Sequence, residues 1–378
     1  MVSLEVNKNL ENKKDKYNPV LDIVRFLAAL IIISIHIFPE GSTEATVGIN
    51  QDVVTLIGLS FVYALTSIAV PIFYVISSYL LFRKIELDPE NRWKYIGKFC
   101  LRLLYFYLFW FIVGLPMTIR DITGFISSGD TYNLVRYFVI FLWKGAPRGF
   151  FFLQSLALGV VLTCLCKTKK SMTLITIISI IMYVFACFNC SYLGVFTLSD
   201  DPVSKGIYDS LIYLETNFSF LQALIFIVLG KIFVLDGTFK IKGNIFYIPI
   251  LFILMIGELF ITKYVGINVY PNYFFLLPVF TFFLMNFIFS INLKSESERL
   301  INISKRLKKI GSFSFLFHFQ FFYYLHWILD SINHNIFREY IFLLIIPYLV
   351  CILICFVLQP LCERLSKHKY LSFLKYSY

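Results

Sequence analysis

Arg25 and His36 stand eleven positions apart on a nearly unbroken apolar stretch, RFLAALIIISIH. At 100° per residue, eleven steps make three turns plus about 20°, so in a helix both side chains fall on one stripe, about 16 Å apart along the axis. An ionisable pair on one stripe of a lipid-crossing helix is costly and usually serves function. The imidazole titrates near neutral pH and can accept a proton from a hydroxyl. The guanidinium can clamp a phosphate or carboxylate, and Asp22, one turn earlier, can orient it. A plainer reading stands beside this one: Arg25 snorkels to one set of head groups and His36 sits at the opposite interface.

Other residues could join that pair. Lys98 and Arg102 lie one turn apart in KYIGKFCLRLLYFYLFW and could extend Arg25 into a cationic funnel for an anionic ligand such as a nucleotide phosphate. In AVPIFYVISSYLL, Pro71 would loosen a helix, and Ser77 and Ser78 could satisfy freed backbone groups or a ligand. Glu258 is the carboxylate deepest in an apolar run and needs a cation or hydroxyl from another helix. His318 and His326, eight residues apart, share roughly one face of an aromatic-rich helix. Of the eight Cys, Cys187 and Cys190 have redox or metal-pair spacing but no second pair nearby, so small buried hydrophobes are expected. No His, Cys, Asp and Glu combination has zinc-ligand spacing, and no metal is expected. The absence of G-x-S-x-G and of G-x-x-x-x-G-K argues against a serine hydrolase and an ATP-driven pump.

The elements that must position these groups are membrane helices. The 378 residues are 58% hydrophobic and only 15% charged, with mean hydropathy +0.76 and 43 Phe. Charge is clustered between long apolar runs, which marks an all-α polytopic membrane protein in the lipid bilayer. Ten spans are expected near 20–39, 56–82, 97–118, 149–166, 172–190, 218–235, 245–263, 273–291, 313–330 and 338–358. The run 132–145, shorter and carrying Arg136, reads as an interfacial or re-entrant piece, or else as an eleventh span. Lys and Arg concentrate in alternate loops; the other set holds Glu40, Glu44, Asp52, Asp200, Asp201 and Asp209. That alternation places both termini in the cytoplasm and accounts for the net charge of +11 without a nucleic-acid partner. The chain then divides into a cytoplasmic tail (1–19), one transmembrane domain (20–360) and a second cytoplasmic tail (361–378). The stretches 119–148 and 191–217 are too short for independent cores. The polar N-terminus lacks a cleavable-signal pattern, so the first span is retained.

In order along the chain, these segments resemble the acyltransferase-3 family of integral membrane acyltransferases. LDIVRFLAAL, with Asp22, Arg25 and Ala28, resembles the family opening LDxxRxxAxx, and the spacing to His36 matches its Arg–His pair. AVPIFYVISSYLL resembles VPFFFxxSGYLL, with Ser78 where Gly is usual; GFFFLQSLALG resembles the LWFLxxL segment. Glu258 and IGSFSFLFHF, ending near His318, resemble later family features. One departure concerns the family's Arg-x-x-Arg: Arg102 fits its second position, but Phe99 holds the first, with Lys98 beside it.

The resemblance implies transfer of an acyl group, usually acetyl, from cytoplasmic acyl-coenzyme A to a hydroxyl of a surface polysaccharide or lipid-linked glycan at the plasma membrane. The implied roles are His36, Arg25 and Asp22 in catalysis, Arg25, Arg102 and Lys98 at the donor, and Glu258, His318 and Ser77 at the acceptor. Acetyl-coenzyme A is a substrate, and no permanently bound cofactor is implied. The membrane half of membrane-bound serine racemases has similar first and second spans, so a secondary transporter or amino-acid uptake module is the alternative.

Overall fold

The computed structural model describes residues 18–34, 53–145, 150–214, 219–239, 241, 244–291, 297–332 and 341–378. His36 lies outside the described residues, as do Glu40, Glu44 and the tail before Asn18. Thirteen α-helices and no strand occur among the described residues: α1 (Pro19–Ser34), α2 (Val53–Ser67), α3 (Ala69–Leu87), α4 (Arg92–Ser127), α5 (Thr131–Lys144), α6 (Phe151–Leu165), α7 (Lys169–Phe188), α8 (Pro202–Leu214), α9 (Phe220–Leu235), α10 (Asn244–Tyr264), α11 (Leu276–Ser290), α12 (Glu298–Ile332) and α13 (Ile341–Leu365). Among the described residues, five segments are long and apolar enough to cross a membrane: Leu56–Leu87, Pro89–Ser127, Lys169–Phe188, Ile245–Tyr264 and Ile346–Leu365. The apolar helices α6, α9 and α11 have 15 or 16 residues, about 22–24 Å each, against about 30 Å of hydrocarbon.

Helices in lipid gain little from hydrophobicity alone, so close backbone approach and polar ties hold them together. On α1, Ala28 and Ala29 are fully buried and let α12 and α3 lie close. Gly159 of α6 receives the Ile227 side chain of α9, and Gly230 of α9 rests on the backbone of α3 at Val75–Tyr79. Polar side chains close the helix ends. The α9 start carries a capping box, Ser219 with Gln222. From the middle of α9, Lys231 donates to the carbonyls of Thr163 (2.8 Å) and Cys166 (2.5 Å) at the end of α6, where the helix dipole favours a cation. The α2–α3 break falls at Ile68, which puts Pro71 in the first turn of α3; its missing N–H is harmless there, so the helix does not loosen further along.

Described residues in three stretches expected as loops or tail form helical segments. Residues 119–144 continue α4 to Ser127 and then form α5, which runs back along it: Tyr137 meets Phe125, Phe141 meets Phe111, and Phe150, just before α6, meets Tyr107. Helices α5 and α6 thus succeed one another beside α4. Within 191–217, α8 packs on α5. Arg136, the residue that fitted a span poorly, donates to the last carbonyls of α8 at Ile212 (3.2 Å) and Tyr213 (3.4 Å). Finally, a 3-10 segment, Lys369–Ser377, folds the C-terminal residues onto α4, with Tyr376 stacked on Tyr105 at 4.4 Å. All eight Cys are unbridged, and no metal-ligating cluster occurs among the described residues.

Candidate functional site

The Arg25 end of α1 is set by its own sequence. Asn18 Oδ1 accepts from the Val20 amide at 3.0 Å and Pro19 occupies the first helical position, a combination that starts a helix without wasting a donor. Asp22 falls in the first turn, where the dipole favours an anion. One turn later, Arg25 Nη1 lies 3.8 Å from Asp22 Oδ1. The Arg25 side chain is 12% exposed and that of Asp22 4%. Across the helix interface, Arg25 Nη2 donates to Ser77 Oγ of α3 at 3.2 Å. Another Arg25 donor, Nε, is buried and has no hydrogen-bond partner among the described residues.

A second cation reaches the same carboxylate. Lys308 Nζ of α12 stands 3.8 Å from Asp22 Oδ1. At that separation the contact is a charge pairing and not a hydrogen bond. Gly311 makes it possible: a Cβ built there would meet Phe26 Cα of α1 at 3.0 Å, so only glycine lets the two helices approach this closely. Arg102 of α4 lies within electrostatic reach of both Arg25 and Lys308, its guanidinium 5.0 Å from the Phe106 ring centroid. Three cations therefore cluster near one aspartate, a net positive, partly exposed group that suits a phosphate.

Lys98 does not belong to this group. It is exposed, and no ion pair or hydrogen bond to it occurs among the described residues. Arg102, four residues later, is also exposed but lies within electrostatic reach of Arg25 and Lys308, and the third cation comes from Lys308. A signal for Lys308 was present in the chain. Residues 308, 311, 315 and 318 follow helical spacing and read Lys, Gly, Phe, His: a cation, a gap, a ring and an imidazole on one stripe.

Up that stripe, Phe315 packs 4.3 Å from Phe73 and 4.8 Å from Phe152, and Tyr74 lies 4.6 Å from Phe152 (ring centroids). The segments AVPIFY, GFFFLQ and SFSFLFHF thus meet in one aromatic wall. His318 follows, 2% exposed, about 15 Å beyond Lys308 along the axis of α12. Its Nδ1 lies 3.1 Å from the Ser314 carbonyl. A carbonyl can only accept, so Nδ1 carries the proton and Nε2 presents the lone pair in the neutral ring.

Glu258 is placed apart from the Arg25 group. Its Oε1 accepts from the Tyr192 hydroxyl and the Phe275 amide, both at 2.6 Å, and Oε2 from the Leu276 amide at 3.0 Å. The partner foreseen as a cation or hydroxyl is thus a phenol plus two amides at the start of α11. A carboxylate there caps the helix and meets its dipole. Ser77 likewise spends its oxygen on Arg25.

A family model described as an acyltransferase domain matches residues 18–358, nearly the whole chain. Neither a curated protein nor a solved structure matches it.

Proposed function

The chain belongs to the acyltransferase-3 family, and from that premise we propose that it moves an acyl group, acetyl foremost, from cytoplasmic acyl-coenzyme A to a hydroxyl of a surface polysaccharide or lipid-linked glycan. The observation that carries this reading is the pairing of Arg25 and Lys308 with Asp22, with Ser77 bonded to Arg25 and Arg102 within electrostatic reach of both cations. In this proposal ten spans cross the plasma membrane, with α2–α3 and α5–α6 each counted once, and both termini are cytoplasmic. The positive loops support that sidedness, and it turns the Arg25 group toward the cytoplasm.

The donor's phosphates rest on Arg25, Lys308 and Arg102, with Asp22 and Ser77 holding Arg25 in place. The pantetheine arm then runs along the stripe shared by α1 and α12, past the aromatic wall. His36 takes the proton from the acceptor hydroxyl as its oxygen attacks the thioester carbonyl. The carbon–sulfur bond breaks, and the leaving thiolate recovers the proton from the imidazolium as free coenzyme A. General-base help of this kind contributes about 10²–10⁴-fold. His318, buried along the same route, is a secondary candidate for handling that proton, and Glu258 keeps a structural role.

Membranes given radiolabelled acetyl-coenzyme A test the proposal. Label should appear in a glycan or glycolipid. His36→Ala should lower the turnover number while the protein still accumulates, and Arg25→Gln should chiefly raise the KM for the donor. Undiminished labelling by His36→Ala would remove His36 from its role. A second reading, a secondary transporter, draws support from the succession of α5 and α6 beside α4, since transporters build substrate sites at broken helices. It requires substrate-coupled flux through proteoliposomes and no glycan labelling.

A further inference from the structure

Lys263 is the most deeply buried lysine among the described residues, 9% exposed near the end of α10, and the acyl-transfer scheme does not use it. Its Nζ lies 4.2 Å from the ring centroid of Tyr63 on α2. No carboxylate among the described residues pairs with it: the ion pairs there are Asp22 with Arg25 and Lys308, and Lys309 with Glu363. Glu258, five residues earlier, is engaged by Tyr192 and the α11 amides. A buried cation supported only by a ring face is incompletely compensated.

Two further buried polar atoms lack partners among the described residues, one on the Tyr63 ring that Lys263 faces and one on Asn268, which is tied to Thr262 next to Lys263. The Tyr63 hydroxyl is one, on a residue 4% exposed; Asn268 Oδ1 is the other, on a residue 5% exposed. Asn268 is fixed in place: its Nδ2 donates to Thr262 Oγ1 at 2.9 Å, and its amide to the Thr262 carbonyl at 3.1 Å. Thr262 Oγ1 in turn donates to the Leu259 carbonyl at 3.1 Å, so the amide orientation is determined and Oδ1 stays a lone acceptor. The inventory is an ammonium group from the end of α10, an amide acceptor from the connection after it and a hydroxyl donor from the facing α2, all on buried residues.

We infer that Lys263, Tyr63 and Asn268 form a binding site for an oxyanion, a phosphate or carboxylate, whose neighbouring hydroxyl Asn268 Oδ1 accepts. The ammonium and the phenol neutralise and bind the charged oxygens, and the amide reads the adjacent hydroxyl. Such a ligand is a sugar acid or a phosphate ester of a polyol. In the acyl-transfer reading, on which this step rests, the site takes the acidic part of the acceptor. It lies at the opposite end of α10 from the positive 240–243 segment, away from the donor's side.

The test uses the full-length protein in phosphatidylcholine nanodiscs, titrated with glucuronate and with glycerol 1-phosphate, against glucose and glycerol as neutral controls. It reads thermal unfolding and needs no acyl transfer, so its failure is distinct from a failure of the labelling experiment above. Either anion should raise the Tm by a few degrees at saturation, and the neutral controls should not. Lys263→Met should abolish the shift and Lys263→Arg should retain it; Tyr63→Phe should weaken anion affinity several-fold. Discs of phosphatidylglycerol distinguish a lipid phosphate from a soluble one: if head groups fill the site, the wild type is already stabilised in those discs and soluble anions add nothing. A Lys263→Met response equal to wild type, or a wild type indifferent to all three anions, overturns the inference.

Discussion

Replacing Gly311 with Ala tests whether close contact between α1 and α12 builds the donor end of the site. The added methyl would lie 3.0 Å from Phe26 Cα, 3.4 Å from its nitrogen and 3.5 Å from its Cβ. Carbon atoms pack best at about 3.5–4.0 Å, so the helices must part by about half an ångström or more. Because the nearest atom is backbone, no side chain can swing aside, and overpacking of this kind costs about 1–3 kcal/mol. Alanine also gains about 1 kcal/mol over glycine in a helix, which would mask part of the loss. A matched control removes that term. Gly257 lies within α10 and has open space where a Cβ would go. Gly257→Ala therefore gains the propensity alone, and the difference between the two variants isolates the overpacking, about 1–3 kcal/mol. Thermal unfolding in the same detergent at one scan rate should place Gly311→Ala several degrees below Gly257→Ala. In the labelling assay its donor KM should rise with turnover nearly unchanged, because Lys308 retreats from the phosphate mouth while His36 is untouched. A Gly311→Ala protein that melts at or above the control, with unaltered KM, would refute the reasoning.

Two other expectations can be checked directly. A Cβ at Gly230 would fall 2.0 Å from Ser78 Oγ, 2.7 Å from the Val75 carbonyl oxygen and 2.9 Å from the Tyr79 nitrogen. Gly230→Ala should therefore destabilise by the top of the ~1–3 kcal/mol range or more, and Ser78→Gly should fail to rescue it in a melt, since two of the clashes are with backbone. The Asp201 carboxylate caps α8, with hydrogen bonds from Ser204 and Ser199 holding it well below the usual carboxylate range. A depressed carboxyl stabilises the fold above its unfolded pKa of about 3.9 and loses that contribution as pH falls below it. Hydrogen exchange in α8 should thus quicken below about pH 4 in wild type, and Asp201→Asn should flatten that dependence.

The intrahelical features were legible before any coordinates. Asp22 and Arg25 sit one turn apart, so the helical period alone brings them together. The same period forecasts the one-stripe relation of Arg25 to His36, although His36 lies outside the described residues. Apolar run lengths located the long helices, because lipid demands continuous backbone pairing over its whole thickness. Ser78 stood out as a departure from the family pattern, and its accommodation was invisible until Gly230, 152 residues later, appeared across from it.

What tertiary structure decided was which of several equivalent residues faces inward. Lys98 and Lys308 both flank apolar runs at positive ends, and nothing in local spacing ranks them. On α4, Arg102 comes within electrostatic reach of Arg25 and Lys308, and Gly311 seats α12 so that Lys308 meets Asp22. Arg136 looked like a misplaced charge until α8 supplied two carbonyls, and Glu258 looked unpaired until the start of α11 folded onto it. A helix's period fixes neighbours within itself. Its rotation and depth against other helices depend on side chains far along the chain, and those set the site.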